Sequence, residues 1–474
     1  VGDQIGASDA PTDGLSPQAG GEVAASNRQN TQIPAVCEHV RMSLPLPVRW
    51  AVRQGVPRLL LQQTARRGDL ASRITVDPAL RAEPFGAYEQ LRSAGEIVRG
   101  RISRSTVSHA VCTEVLRSPA FGVGTGSFLP NPLVRRIFAA TVDGAAASPV
   151  EPPSMLAVDP PDHTRYRRLV SKVFTPRAIA ALDIRVQEIA DDLLSEMSGR
   201  VDLIQAYAGA LPVRVISEVL GLPADARERL LAFGDAGVQT LDPGLSYRQF
   251  RESHRVLLDA HRWLGEHLEH LRRNPGTDLF SSLVALDDEG GLTDLELRST
   301  ALLVIGAGFE TTVNLLGSGV VQLLAHPDQL QRLREAPSGW ANAVEEILRY
   351  DSPVQVTVRA PLQPSTVHGV DFRPGQLLIL MLAGANRDPL VFTDPQSFDT
   401  TRSNARDHLA FSGGIHFCLG AGLARTEGVV GLRTLFERFP DLALAGPPVR
   451  RPTRVLRGYT AMPVSLGRGA FARS

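Results

Sequence analysis

A run of some thirty residues decides most of what this chain can become. Thr293-Asp-Leu-Glu296 is a capping box, in which a hydroxyl and a carboxylate each satisfy the other residue's backbone N–H. The helical periodicity that follows holds to Ala325, where His326-Pro327 stops it. At about 1.5 Å per residue such a helix is roughly 45 Å long and crosses a whole domain. Its stretch from Ala301 to Ala325 has the length of a membrane span. Glu310, Thr311, Thr312 and Asn314 stand near the middle, however, where insertion into hydrocarbon is costly. The helix is therefore expected at the centre of a large protein, with no transmembrane segment.

The second constraint is Phe411-Ser-Gly-Gly-Ile-His-Phe-Cys418-Leu-Gly-Ala-Gly-Leu-Ala-Arg425. Here a cysteine follows a glycine-bearing loop and precedes a helical pattern, so its sulfur sits where free backbone N–H groups and the helix dipole favour a thiolate. A lone thiolate cannot build a zinc or iron–sulfur site, which needs about four protein ligands. It suffices for haem, whose macrocycle supplies four nitrogens. Gly413, Gly414 and Gly420 let the backbone pass close to something large and flat.

The spacing Phe411-x-x-Gly414-x-His416-x-Cys418-x-Gly420, with Leu423-Ala424-Arg425 after it, resembles the haem-binding signature of the cytochrome P450 family, and its soluble actinobacterial members most of all. The resemblance extends over roughly residues 80 to 467. It implies a fold that is mainly α with small β-sheets (α+β), one haem domain over residues 48–470, haem b (iron protoporphyrin IX) as cofactor, and Cys418 as the metal ligand. Phe411, Gly414, His416 and Gly420 fall in the cofactor-binding loop by the same match.

Other segments extend the likeness. Ala307-Gly308-Phe309-Glu310-Thr311-Thr312 resembles the oxygen-activating motif, with Glu310 and Thr311 as the catalytic acid and alcohol. Thr311 can bond the carbonyl of Ala307 one turn back, Gly308 permits close approach and a local widening of the helix, and Glu310 is expected to meet solvent as a proton source. By the same resemblance Ala307 is assigned to the cofactor-binding residues. Asp162-His163-Thr-Arg-Tyr-Arg167 starts a helix with His163 and Arg167 at i and i+4, a pair suited to an anion. In the family the matching pair holds a haem propionate, as does the position of Arg359. Arg168 and Lys172 form a second such pair, either a solvated face or a dock for an acidic redox partner. Glu346-Ile-Leu-Arg349, with Arg402 downstream, matches a buried structural triad.

Substrate contacts are expected at Phe121 and Phe128 in the irregular stretch from about Pro119 to Pro161, and at Val304 and Gly308. Val354 and Val356 on an alternating strand, and Tyr459 in Arg457-Gly-Tyr-Thr-Ala-Met-Pro463, are assigned the same role. Tyr459 would bring a hydroxyl to the pocket rim. Helices are read over Ala178–Met197, Leu203–Leu220, Arg227–Ala236 and Tyr247–Leu271, with the break at Leu241-Asp-Pro-Gly244 in a lid. Trp50 to Arg67 reads as a short amphipathic helix, packed on the domain in preference to a membrane surface.

Composition closes off other classes. Lys+Arg and Asp+Glu stand at 50 each, which leaves no basic field for nucleic acid. Cys37, Cys112 and Cys418 are an odd, scattered set that fits a reducing cytoplasm better than a disulfide scaffold. Residues 1–47 lack a basic segment followed by an apolar core, so no secretory signal is read there; a disordered extension is expected. The function implied is that of a monooxygenase acting on a small apolar organic substrate with O2, as in secondary metabolism. No flavin or ferredoxin sequence follows the haem region, so ferredoxin and ferredoxin reductase would act in trans. A haem-based binder or sensor without turnover, and a peroxide-driven enzyme, are the rivals.

Overall fold

The computed structural model describes residues 44–123, 129, 131–171, 176–223, 226–276, 278–285 and 291–467. Capping chemistry begins the central helix where the sequence places it. Thr293 Oγ1 accepts the Glu296 N–H at 3.3 Å and Glu296 Oε2 accepts the Thr293 N–H at 2.8 Å. The helix runs without interruption over Asp294–Ala325, longer and more apolar than a membrane span requires, and most of it is buried by the other helices. Glu296 has a further task. Its carboxylate takes Arg165 Nη2 and Tyr166 Oη at 2.6 Å each, which ties the helix Asp162–Val170 to the start of the central helix.

Around this axis the largest apolar cluster forms from helices Pro176–Ser195, Ala210–Leu220, Arg227–Leu241, Tyr247–Arg273, Trp340–Tyr350 and Ala421–Arg438. Ser246 caps Tyr247–Arg273 with a second capping box, after the Asp-Pro-Gly break. The helix read over Leu203–Leu220 is divided: a π-helical turn, Ile204–Ala208, ends at Gly209 and Ala210–Leu220 follows. The stretch read as irregular contains the helix Pro132–Ala139. Asn131 caps it through Oδ1 and Pro132 fills its first position, two signals the reading passed over.

Small sheets flank the helices. Five strands lie in the order Val98–Arg99, Arg104–Thr106, Leu378–Leu380, Thr357–Pro361, Phe121–Gly122. Arg104–Thr106 and Leu378–Leu380 run parallel and the other pairs antiparallel. Among the described residues a three-stranded sheet and two two-stranded sheets complete the β structure, so the chain is mainly α with small sheets. Of the extension expected over 1–47, residues 1–43 lie outside the described residues, while Leu46 and Pro47 already belong to the helix Leu46–Trp50. That helix passes through a π-helical segment, Ala51–Gly55, into Val56–Arg66.

Candidate active site

The cysteine loop is held from both sides by two adjacent glutamates of the helix Trp340–Tyr350. Glu346 and Arg349 are wholly buried and share a forked ion pair at 2.7 and 2.8 Å, and Arg402 joins at 3.2 Å. Arg349 donates to the carbonyls of Asn386, Pro395 and Ser397, and Arg402 to those of Thr393, Asp394 and Ser397. The triad thus organises the segment 386–402. Asn386 Oδ1 then accepts the Leu409 N–H at 2.6 Å, at the entrance to the loop.

Glu345, which sequence reasoning passed over, grips the loop directly. Its carboxylate meets His408 Nε2 at 3.0 Å before the loop and Arg425 Nε at 2.7 Å in the helix after it, with Arg406 at 3.2 Å. Despite burial, the His408 and Arg425 hydrogen bonds draw its pKa down to about 2. The only local signal was a second glutamate beside Glu346, because His408 and Arg425 are remote in sequence.

Within the loop, the Cys418 N–H donates to the Phe411 carbonyl at 2.9 Å after a 3-10 turn at Gly414–His416. Gly414 has φ +63°, and a Cβ there would collide with the Leu116 carbonyl, so only glycine serves. Phe411 is buried beneath the Arg425 guanidinium, 4.6 Å from its ring centroid. Cys418 lies deep in the protein, yet it is exposed. Burial raises the thiol pKa, opposed by a hydrogen bond from the Gly420 backbone and by the charges of Arg167 and Arg425. The thiolate expected from the helix N-terminus alone therefore needs a cation facing the sulfur.

Cationic and imidazole groups gather beside it. The rings of His163 and His416 stand 4.2 Å apart, and each leaves a buried Nε2 without a partner. Burial, then the charges of Arg359, His163 and Arg167, hold His416 neutral with its pKa lowered to about 3. Arg359 is buried and pushed down to about 10, chiefly by desolvation, although Asp159 opposes the shift. Burial lowers Arg167 too, while Cys418 raises it. Two guanidiniums and two under-bonded imidazoles in one buried place are suited to an anion.

One turn of the central helix is uncovered at the level expected. Ala307 is exposed and Gly306, Gly308 and Thr311 are part-exposed, while Ile305, Phe309 and Thr312 are buried. Thr311 Oγ1 donates to the Ala307 carbonyl at 3.0 Å, as read from the sequence. Val304 is buried one turn below.

Several expected contacts are corrected. Glu310 does not meet solvent: it is buried, Arg451 Nη2 stands 3.0 Å from its Oε2, and burial pushes its pKa up to about 7. Gly308 admits a neighbouring helix and widens nothing, since a Cβ there would lie 3.0 Å from Ile216 and the helix stays α-helical. Phe121 packs edge-on against Phe372 in the core behind the five-stranded sheet, so it is a core residue. Val356 is buried among Ile74, Tyr88 and Leu91, and Val354 packs on the cluster of Phe121. Both valines are thus taken up by packing; the strand expected from Val354 begins only at Thr357, and Val354 makes an isolated bridge to Leu456. Tyr459 is buried against Gly317, ten residues along the central helix from Ala307, with Arg450 over its ring at 4.3 Å; it brings no hydroxyl to a rim. Phe128 and Lys172 lie outside the described residues. Arg168 is exposed.

A long buried helix opened at one turn, beside a strapped cysteine loop and a nest of cationic groups, defines an enzyme pocket built for a large anionic prosthetic group. The comparisons name the class. The family model described as Cytochrome P450 matches residues 341–447. Cytochrome P450 140 of Mycobacterium tuberculosis is 47% identical over 428 residues, 89% of this chain and 97% of that protein. Vitamin D(3) 25-hydroxylase of Pseudonocardia autotrophica is 43% identical over 334 residues, 69% of this chain and 81% of its own length. The crystal structure of Mycobacterium smegmatis CYP164A2 with econazole bound superposes with a TM-score of 0.76 at 34% identity, covering 84% of this chain and 99% of that one. The chain belongs to the cytochrome P450 family and is a monooxygenase of that family. Haem is the group the family carries, and the orphaned imidazole nitrogens, the buried guanidiniums and the exposed Cys418 fit it.

Proposed function

We propose that residues 48–470 form one haem domain that binds haem b through Cys418, with His163, Arg167, Arg359 and His416 receiving its propionates. The observation that carries this is the paired, partnerless Nε2 atoms of His163 and His416 beside the loop of the deep but exposed Cys418. When bound, haem supplies iron for reductive O2 activation, and a cysteine ligand favours O–O cleavage.

The chain's own residues exclude water and deliver protons. Ala307 presents an apolar surface, and Thr311, by spending its hydrogen on the Ala307 carbonyl, leaves oxygen lone pairs free to hold a water proton. Glu310, poised near neutrality, stores a proton behind Arg451, whose Nη1 reaches the exposed Asp235 on Arg227–Leu241 at 3.1 Å. This is a general-acid arrangement tuned by burial.

The substrate proposed is an apolar molecule of steroid, lipid or polyketide type. Support comes from the apolar turns beside Thr311 and from a relative whose name gives vitamin D(3) as substrate. Electrons would come from NAD(P)H through a ferredoxin reductase and a ferredoxin. A hollow of about 430 Å³ on the outer side of the cysteine loop, bordered by Arg117, Arg406, Gly413 and Phe417, and the exposed Arg168 favour an acidic partner there. Cys112 stands unpaired in the core, in keeping with a cytoplasmic enzyme.

The test combines two measurements on purified holoprotein. Apolar candidates of these three types are titrated for a change of haem spin state, and those that bind are incubated with NADPH, ferredoxin and reductase. Oxygenated product is the result expected. Binding of such ligands with no product under any reductase pairing would overturn the assignment.

A further inference from the structure

The cationic groups beside Cys418 have an acid among them, and the function proposed above gives it no part. Asp159 stands just before the helix Asp162–Val170, which carries His163 and Arg167, and its main-chain carbonyl accepts the His163 N–H at 3.2 Å. Its charge reaches both sides of the group. Burial and then the charge of Arg167 lower the pKa of His163, and Asp159 opposes them. On the strand Thr357–Pro361, burial lowers Arg359, and Asp159 is the charge that opposes it.

The same carboxylate is a fastening. Its Oδ1 accepts the Val123 N–H at 2.8 Å, where the chain leaves the edge strand Phe121–Gly122. It lies so close over Gly122 that a Cβ there would come within 2.6 Å of both oxygens, so the seat requires glycine. Gly122 is paired in turn with Ala360, the neighbour of Arg359, and Phe121 with Pro361. Asp159 therefore ties the start of the helix bearing His163 and Arg167 to the strand pair bearing Arg359.

A buried guanidinium is costly unless negative charge faces it. Arg359 is buried, and Asp159 supplies part of its counter-charge from within the chain. A ligand with two carboxylates seated among these groups meets the acid as well as the cations. The charge that keeps Arg359 in place thus also sets the field that such a ligand feels.

We propose that Asp159 is a positioning residue of the haem site, which holds His163, Arg167 and Arg359 in register for the propionates and whose negative charge lowers the haem reduction potential. The first half is carried by the Val123 hydrogen bond, the glycine seat and the strand pairing. The second follows from electrostatics, because a fixed negative charge near the cofactor favours the form with one electron fewer. Both rest on the reading that these groups receive the propionates.

Three variants separate the fastening from the charge, and none needs turnover. Asp159→Asn keeps an oxygen for the Val123 N–H and loses the charge, Asp159→Ala loses both, and Gly122→Ala keeps the charge but displaces the carboxylate. Purified holoproteins are titrated by spectroelectrochemistry, and haem loss is followed by transfer to apomyoglobin. In Asp159→Asn the ratio of reduced to oxidised haem at a fixed potential should rise about threefold or more, roughly 30 mV at about 59 mV per tenfold for one electron. Its rate of haem loss should stay within about twofold of wild type. Asp159→Ala should raise the ratio likewise and lose haem about tenfold faster, and Gly122→Ala should lose haem faster without that rise in ratio. A merely structural aspartate would leave the potential of the asparagine variant at the wild-type value. That result, or wild-type haem retention in Asp159→Ala, overturns the proposal; should Asp159→Ala yield no holoprotein, the potential of Asp159→Asn still decides. Arg359→Gln shows which reading has failed. Faster haem loss there, with the Asp159 variants unaltered, overturns this inference alone, whereas haem loss at the wild-type rate in Arg359→Gln overturns the propionate assignment with it.

Discussion

Arg451 Nη2 stands 3.0 Å from Glu310 Oε2 inside the protein, and even so burial holds the carboxyl up at about 7. An acid whose folded pKa exceeds its unfolded value of 4.5 stabilises the fold below the lower value, and that contribution is lost as pH rises through the upper one. Stability should therefore fall between about pH 5 and pH 8 in wild type. Glu310→Gln, which cannot ionise, should flatten that slope by on the order of 2–3 kcal/mol. Chemical denaturation at a series of pH values measures it; parallel slopes in the two proteins would show that Glu310 titrates normally.

Glu345 has the opposite sign. Its pKa is depressed to about 2 by His408 and Arg425, so its contribution is present above the ordinary glutamate range and disappears as pH falls through that range toward about 2. Glu345→Gln would remove the carboxylate that His408 contacts before the cysteine loop and leave Arg425 without its counter-charge after it. A loss of roughly 3–5 kcal/mol is expected, with faster loss of haem at neutral pH. Melting curves and haem transfer to apomyoglobin report the two effects.

Arg349→Lys keeps a positive charge but cannot reproduce the fork on Glu346 together with three carbonyl contacts. We expect little folded holoprotein, measured as the haem-to-protein absorbance ratio. A normal yield would mean that segment 386–402 is organised without the fork.

Thr311→Ala removes one hydroxyl and leaves the cysteine loop and the cationic groups untouched. Haem content and substrate affinity should stay within about twofold of wild type, while product formed per NADPH should drop roughly tenfold or more as peroxide accumulates. Unchanged coupling would move the proton-holding role to Glu310 or to a group on the substrate.

Much of this architecture was legible because its determinants are local. The capping box at Thr293, the stop at His326-Pro327 and the spacing from Phe411 to Gly420 are each read within a few residues, and the structure reproduces the elements they imply. The Glu346–Arg349 pair is one helical turn long, and Arg402 follows the segment that it binds. What escaped depends on partners distant in the chain. Nothing near Glu310 announces Arg451, and nothing near Glu345 announces His408. Side-chain direction was the other gap. Phe121, Val354, Val356 and Tyr459 lie in the expected segments, but the pairing of Phe121–Gly122 with Thr357–Pro361 and the stacking of Arg450 on Tyr459 decide which way they face.

The central claim is that the Cys418 sulfur is the iron ligand, and the reduced carbon-monoxide-bound absorption spectrum tests it most directly. Wild type should show the strongly red-shifted Soret band of a thiolate-ligated haem. Cys418→Ser should lose that band, because a hydroxyl is not ionised at neutral pH and donates poorly to iron. A red-shifted band that survived in the serine variant, or one absent from fully haem-loaded wild type, would contradict the account.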